Sequence, residues 1–165
     1  MTDLQPVFRI ERTFASPRKT VWACFTEPDH MAKWFSPAGC HTVFLHSDLQ
    51  PGGYNHVRMD SPEGTVWHGK YTFVEVDPMD KLVYVNSFAD ADGNLIHHPM
   101  APTWPLKLLT TILFEDLGDK TRILLTWEPM DASAEEVATF AQGLESCHNG
   151  WTGTFDNLDG YLNSL

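Results

Sequence analysis

Toward its C-terminus the chain repeats large apolar side chains at helical spacing. Phe140, Leu144, Cys147, Trp151, Phe155, Leu158 and Leu162 fall on one narrow stripe at roughly 100° per residue. Ser133 as N-cap, with Glu136 at the third helical position, is a capping box that marks where this helix begins. A long helix with one apolar stripe must bury that stripe, and the rest of the chain reads mostly as strands. The sequence therefore predicts an α+β domain in which a curved antiparallel sheet of about seven strands wraps a long C-terminal helix. Gly143, Gly150, Gly153 and Gly160 fall on the flank and far side of that helix. Each helical Gly costs about 1 kcal/mol relative to Ala. Their positions predict a loosely held solvent face with local bending. The sharper alternative is a helix kept deformable so that it can shift over a cavity.

The preceding elements follow from period and punctuation. In "VFRIERTF", Phe8, Ile10 and Phe14 share a face, with Arg12 the exception, which predicts a strand. "SPRKTVWACFTEP" offers Ser16 as N-cap and Pro17 as first helical residue, with Val21, Trp22 and Phe25 inward and Pro28 as the stop. "DHMAKWFSP" reads as a second short helix capped by Asp29, with Met31, Trp34 and Phe35 inward. From His41 the period changes to two. "HTVFLHSDL" and "GYNHVRM" flank the turn "QPGG", and Trp67, Gly69, Tyr71 and Phe73 share one face of "TVWHGKYTFVEV". "KLVYVNSFAD" is the next strand, and "LKLLTTILFED" with "TRILLTWEPM" makes a last hairpin across "LGDK". Residues 91–105, "ADGNLIHHPMAPTWP", are long enough for a lid or rim rather than a connector.

Composition narrows the function. The length fits a single domain over 1–165. Acidic residues number 22 against 11 basic ones, for a formal charge of −11. That field repels phosphate backbones and anionic membranes, so no nucleic-acid partner is expected. No stretch is long and apolar enough for membrane insertion, and "MTDLQPVFRIER" lacks the basic start and apolar region of an export signal. Three cysteines without a CxxC pair point to free thiols and a cytoplasmic location. A homodimer is compatible with the sequence but not demanded by it.

In their order and spacing these segments resemble the START-like (SRPBCC, Bet v-like) helix-grip superfamily. Within it they are most similar to the group named after the activator of the heat-shock protein 90 ATPase. The resemblance rests on the opening strand with "SPRKTVWACFTEPDHMAKWFSP", on "PGGYNHVRM", "GKYTFVEVDPMDKLVYV" and "TILFEDLGDKTRILLT", and on the terminal "GWTGTFDNLDGYL". It implies a cavity between sheet and last helix, used by some members for apolar small molecules and by others for catalysis. The eponymous co-chaperone carries a further domain that this sequence does not show, so a chaperone partner is not expected.

Catalytic signals are sparse. The eight histidines form no HExxH, and His97 and His98 are adjacent in a loop, where side chains point apart, so no metal site is expected. His41 and His46, an odd number apart in one strand, should face opposite ways. There is no GxSxG elbow and no phosphate-binding glycine loop, so no catalytic residue and no cofactor are assigned. The aromatic residues carry the reading. Trp67, Tyr71, Tyr84, Phe88, Trp104, Trp151 and Phe155 are the expected walls of a groove, His148 its polar contact, and the 91–105 loop its rim. The function expected is binding of a hydrophobic small molecule such as a lipid, polyketide or aromatic metabolite. The alternative is a cyclase, dehydratase or hydrolase in the same cavity with His148 or His41 as acid–base. A chaperone-interaction module using the outer sheet face is the weakest reading.

Overall fold

Strand β1 (Phe8–Phe14) forms where apolar and polar residues alternate, and buries Phe8, Ile10 and Phe14. The computed structural model describes residues 5–35 and 39–165. The first four residues, and the Ser36–Pro37 end of the second helical motif, lie outside the described residues. Arg12, the exception in the alternation, shares the inward face. Its guanidinium donates to Asp156 at 2.8 Å and Asp159 at 3.0 Å and lies 5.7 Å above the Phe155 ring, so it ties β1 to the last helix.

Helix α1 (Arg18–Thr26) begins one residue later than its Ser-Pro start predicts. Pro17 stays extended as the N-cap, and the Ser16 carbonyl instead accepts a 2.8 Å hydrogen bond from Thr121 Oγ1. Glu27 is extended, as a residue before proline prefers to be, and ends the helix. Pro28 then opens α2 (Pro28–Trp34) at its first position, so Glu27 rather than Asp29 is the cap.

The strands β2 (His41–Ser47), β3 (Tyr54–Asp60), β4 (Val66–Asp77), β5 (Lys81–Ala89), β6 (Leu95–Ile96), β7 (Lys107–Asp116) and β8 (Thr121–Met130) follow. They form one open antiparallel sheet in the order β1-β8-β7-β5-β4-β3-β2, with β6 pairing to β5. The expected strands are all present, and β6 is an addition inside the segment read as a loop. The Asp90 carboxylate accepts from the amides of Asp92 and Asn94 at 2.9 Å. That turn folds the chain back so that Leu95 and Ile96 pair with Ala89 and Phe88.

A bulge in β2, between Phe44 and His46, corrects the expectation for two histidines. The extra residue turns His46 onto the face of His56, the same outer face that His41 shares with Asp60. Simple parity had placed them on opposite faces.

The C-terminal helix is two helices. α3 (Ala134–Gln142) carries the expected capping box of Ser133 and Glu136. α4 (Leu144–Ser164) follows after Gly143, which leaves helical geometry at φ −94° and ψ 5°. The core stripe holds across the break. Phe140, Trp151, Phe155, Leu158 and Leu162 are buried, with Leu144 and Cys147 packed against them. No helix among the described residues is long and apolar enough to cross a membrane.

Candidate functional site

Strand parity decides which side chains look toward the helices. Trp67, Gly69, Tyr71 and Phe73 share the inner face of β4, and the register sets Tyr71 beside Asn86 and Phe73 beside Tyr84 on β5. Tyr84 in turn pairs with Thr110 on β7, and Thr110 with Trp127 on β8. The main contacts of α4 are with β1 and α2, at one side of the sheet. Above the middle strands a cavity of about 1300 Å³ is left. Phe35 closes one end from α2, and His98, Trp104 and Pro105 line it from the 91–105 segment.

Six of the eight expected site residues come together here: Trp67, Tyr71, Tyr84, Phe88, Trp104 and Trp151 all line this cavity. Tyr71 stands edge-on to Tyr84 at 5.5 Å and to Phe35 at 5.8 Å, and Trp151 edge-on to Trp127 at 5.7 Å. Gly69 makes room for the Tyr71 ring, whose hydroxyl lies 3.2 Å from where a Cβ would stand. Burial pushes the Tyr71 and Tyr84 hydroxyls above their ordinary range, so both keep their protons at neutral pH. The Cys147 thiol in the same wall is pushed up to about 11 by burial, which makes it a poor nucleophile.

Two expected residues stand elsewhere. Phe155 is 0 % exposed and packs edge-on against Phe14 at 5.3 Å, so it belongs to the core between α4 and β1. His148 is exposed and borders a separate shallow surface hollow with Val7, Phe8 and Arg9. It follows the core stripe around the helix by one step, which carries it past β1 to the outside. His41 is likewise exposed on the outer face. Both acid–base candidates therefore lie away from the cavity.

The helix glycines border the cavity as well as solvent. They avoid the core stripe as expected, yet Gly143, Gly150 and Gly153 line the cavity, together with Gln142, Ser146, Asn149 and Asn157. Gly150, Gly153 and Gly160 are exposed, as a solvent face requires, and Gly143 is half-buried. At Gly143 a Cβ would stand 3.1 Å from the Trp104 ring, which settles on the helix break beside Phe140. A Cβ at Gly150 meets nothing within 4 Å. Gly150→Ala should therefore raise stability by about 0.5–1 kcal/mol through helix propensity alone, read from urea denaturation. A loss of stability would mean that the bare backbone is needed for packing.

Asn86, Thr110 and Trp127 are cavity or floor residues missed from the sequence. Asn86 was visible in principle. It shares the inner face of "YVNSF" with Tyr84 and Phe88 and interrupts an otherwise aromatic row. Among the described residues, Trp127 Nε1 is the one buried side-chain nitrogen or oxygen with no hydrogen-bond partner. Across the sheet, on its outer face, His56 Nε2 lies 3.0 Å from His68 Nδ1, and burial and His68 together lower the His56 pKa. No group of three or more His, Cys, Asp or Glu able to hold a metal ion is found among the described residues.

The sequence pattern described as "Activator of Hsp90 ATPase homolog 1-like protein" matches residues 15–163. The chain belongs to this family. Its START-like, helix-grip architecture is that of the family and recurs in solved structures. An Arthrobacter aurescens protein is 22% identical at TM-score 0.81, over 98% of this chain and 88% of its own. Protein Ms6760 of Mycobacterium smegmatis is 22% identical at TM-score 0.77, over 96% and 91%. The AHSA1 protein of Silicibacter pomeroyi is 18% identical at TM-score 0.70, over 96% and 98%. At these identities the likeness is one of fold. No curated protein matches the chain.

Proposed function

We propose that the protein binds a hydrophobic small molecule, such as a lipid, polyketide or aromatic metabolite, in the cavity between the sheet and α3–α4. The observation that carries this reading is a space of about 1300 Å³ walled by Trp67, Tyr71, Tyr84, Phe88, Trp104 and Trp151. Ligand pockets usually enclose about 300–1000 Å³, lined mainly by apolar and aromatic side chains with a few placed polar groups. This one offers rings on the sheet side and neutral polar groups on the α4 side. Binding without turnover is favoured over the enzymatic alternative because His148 and His41, on which that alternative rested, stand outside the cavity. The three free cysteines accord with a cytoplasmic location.

Native mass spectrometry of freshly purified protein, followed by solvent extraction, tests the proposal. The expected result is a stoichiometric apolar adduct that Tyr71→Ala loses. A bare mass, together with no uptake of the neutral fluorescent probe N-phenylnaphthylamine, would overturn it.

A further inference from the structure

On the cavity floor, two polar side chains on neighbouring strands are hydrogen-bonded to each other. Thr110 Oγ1 donates to Asn86 Oδ1 at 2.5 Å, and Tyr84 stands opposite Thr110 in the strand register. Thr110 has one hydroxyl hydrogen, and it is given to Asn86. Thr110 is 0 % exposed and its neighbour Tyr84 is buried, which fixes this bond in place. The bond occupies the oxygen of the Asn86 amide and turns its NH2 group away from Thr110. Asn86 lines the cavity, and its amide hydrogens have no partner among the described residues. The amide nitrogen is also absent from the solvent-sealed unpaired atoms, which leaves it open to the cavity. Beside it Tyr71, the cross-strand neighbour of Asn86, presents a hydroxyl that likewise has no partner among the described residues.

Building on the proposed binding function, we propose that Asn86 is the polar anchor of the cavity. It donates a hydrogen bond to a carbonyl oxygen of a neutral aromatic ligand, such as an aryl ketone or quinone. Charge favours a neutral guest. No Lys or Arg lines the cavity among the described residues, and its one carboxylate, Asp156, is paired with Arg12. A ligand carboxylate or phosphate would lose its hydration with no Lys or Arg there to replace it. A ketone loses little on entry and satisfies a donor that is otherwise left open in an aromatic surround.

Fluorenone and fluorene test this. They match in size and planarity, and only the first carries a carbonyl. Both compete for N-phenylnaphthylamine in the cavity. In the wild-type protein fluorenone should displace it at a roughly 3- to 10-fold lower concentration than fluorene, the gain of one neutral hydrogen bond. The infrared carbonyl band of bound fluorenone should also lie lower in frequency than in an apolar solvent. Asn86→Leu should abolish both the preference and the band shift, and displacement of N-phenylnaphthylamine by fluorene in that variant reports that the cavity is still formed. Asn86→Asp, which keeps the shape but removes the NH2, should abolish the preference too and replaces the first variant if that fails to fold. Thr110→Val should weaken the preference by releasing the amide.

Equal displacement by both probes in the wild type would overturn the anchor and leave the cavity reading standing. A preference that survives Asn86→Leu would overturn the assignment to Asn86. Failure of both probes and of N-phenylnaphthylamine to bind would overturn the anchor and the proposed function together.

Discussion

Trp151→Ala should lower the unfolding free energy by about 3–5 kcal/mol, the range of large aromatic truncations in cores. Trp151 is 8 % exposed. Its ring contacts Trp127 at 5.7 Å, Phe155 at 5.4 Å and Phe35 at 6.2 Å, so it joins the sheet, the helix core and α2 at one point. It also lines the cavity, so its removal enlarges a space that already exists. The neighbours are themselves large rings held by other contacts, and they cannot collapse far to fill the gap. Urea denaturation of the purified variant measures the loss. A cost below about 1 kcal/mol would mean that the ring stands in a solvent-filled space and contributes little to the core.

Trp34→Ala should cost as much, again about 3–5 kcal/mol, by a different route. Trp34 is 1 % exposed and packs edge-on against Phe25 at 4.8 Å. Its indole N–H donates to the Cys24 carbonyl at 2.8 Å, one of the carbonyls at the end of α1 that lack a helical partner. Truncation therefore leaves both a cavity and an unpaired buried acceptor. Trp34→Phe separates the two contributions and should cost roughly 1–2 kcal/mol, since most of the ring volume stays while the hydrogen bond goes. Equal losses for the Ala and Phe variants would show that the hydrogen bond alone matters. Phe35 follows Trp34 directly and is edge-on to it at 5.5 Å, so the Ala variant should also loosen one end of the cavity.

Element type and order were legible because they depend on local period and punctuation. Pro28 marked the boundary between α1 and α2, and the capping box of Ser133 and Glu136 marked the start of α3. The inner row of Trp67, Tyr71 and Phe73 followed from alternation alone. Three features depended on distant parts of the chain and were not legible. The break at Gly143 is tied to the Trp104 ring, which arrives from a loop far away in sequence. The bulge beside His46 needs the register of β3, which parity along one strand cannot reveal. Phe155 and His148 were placed by helical angle, yet their surroundings are set by α4 leaning on β1 rather than lying over the middle of the sheet. Asn86 was passed over because a polar residue within an aromatic strand gains meaning only once Thr110 stands beside it.

The pairing of β1 with β8 has a consequence for how the chain is made. Among the described residues, β1 forms one edge of the sheet, and β8 is its only strand partner. Its Arg12 is matched by Asp156, 144 positions later. At about 5–20 residues per second, a ribosome needs roughly ten seconds to deliver β8 after β1 has emerged. For that interval Phe8, Ile10 and Phe14 have no native surface to cover them. The sheet can then close only by joining distant ends, a route that slows folding toward the millisecond-to-second range. The segment synthesised early is thus among the last to become native, and the nascent chain depends on staying soluble while its opening strand waits.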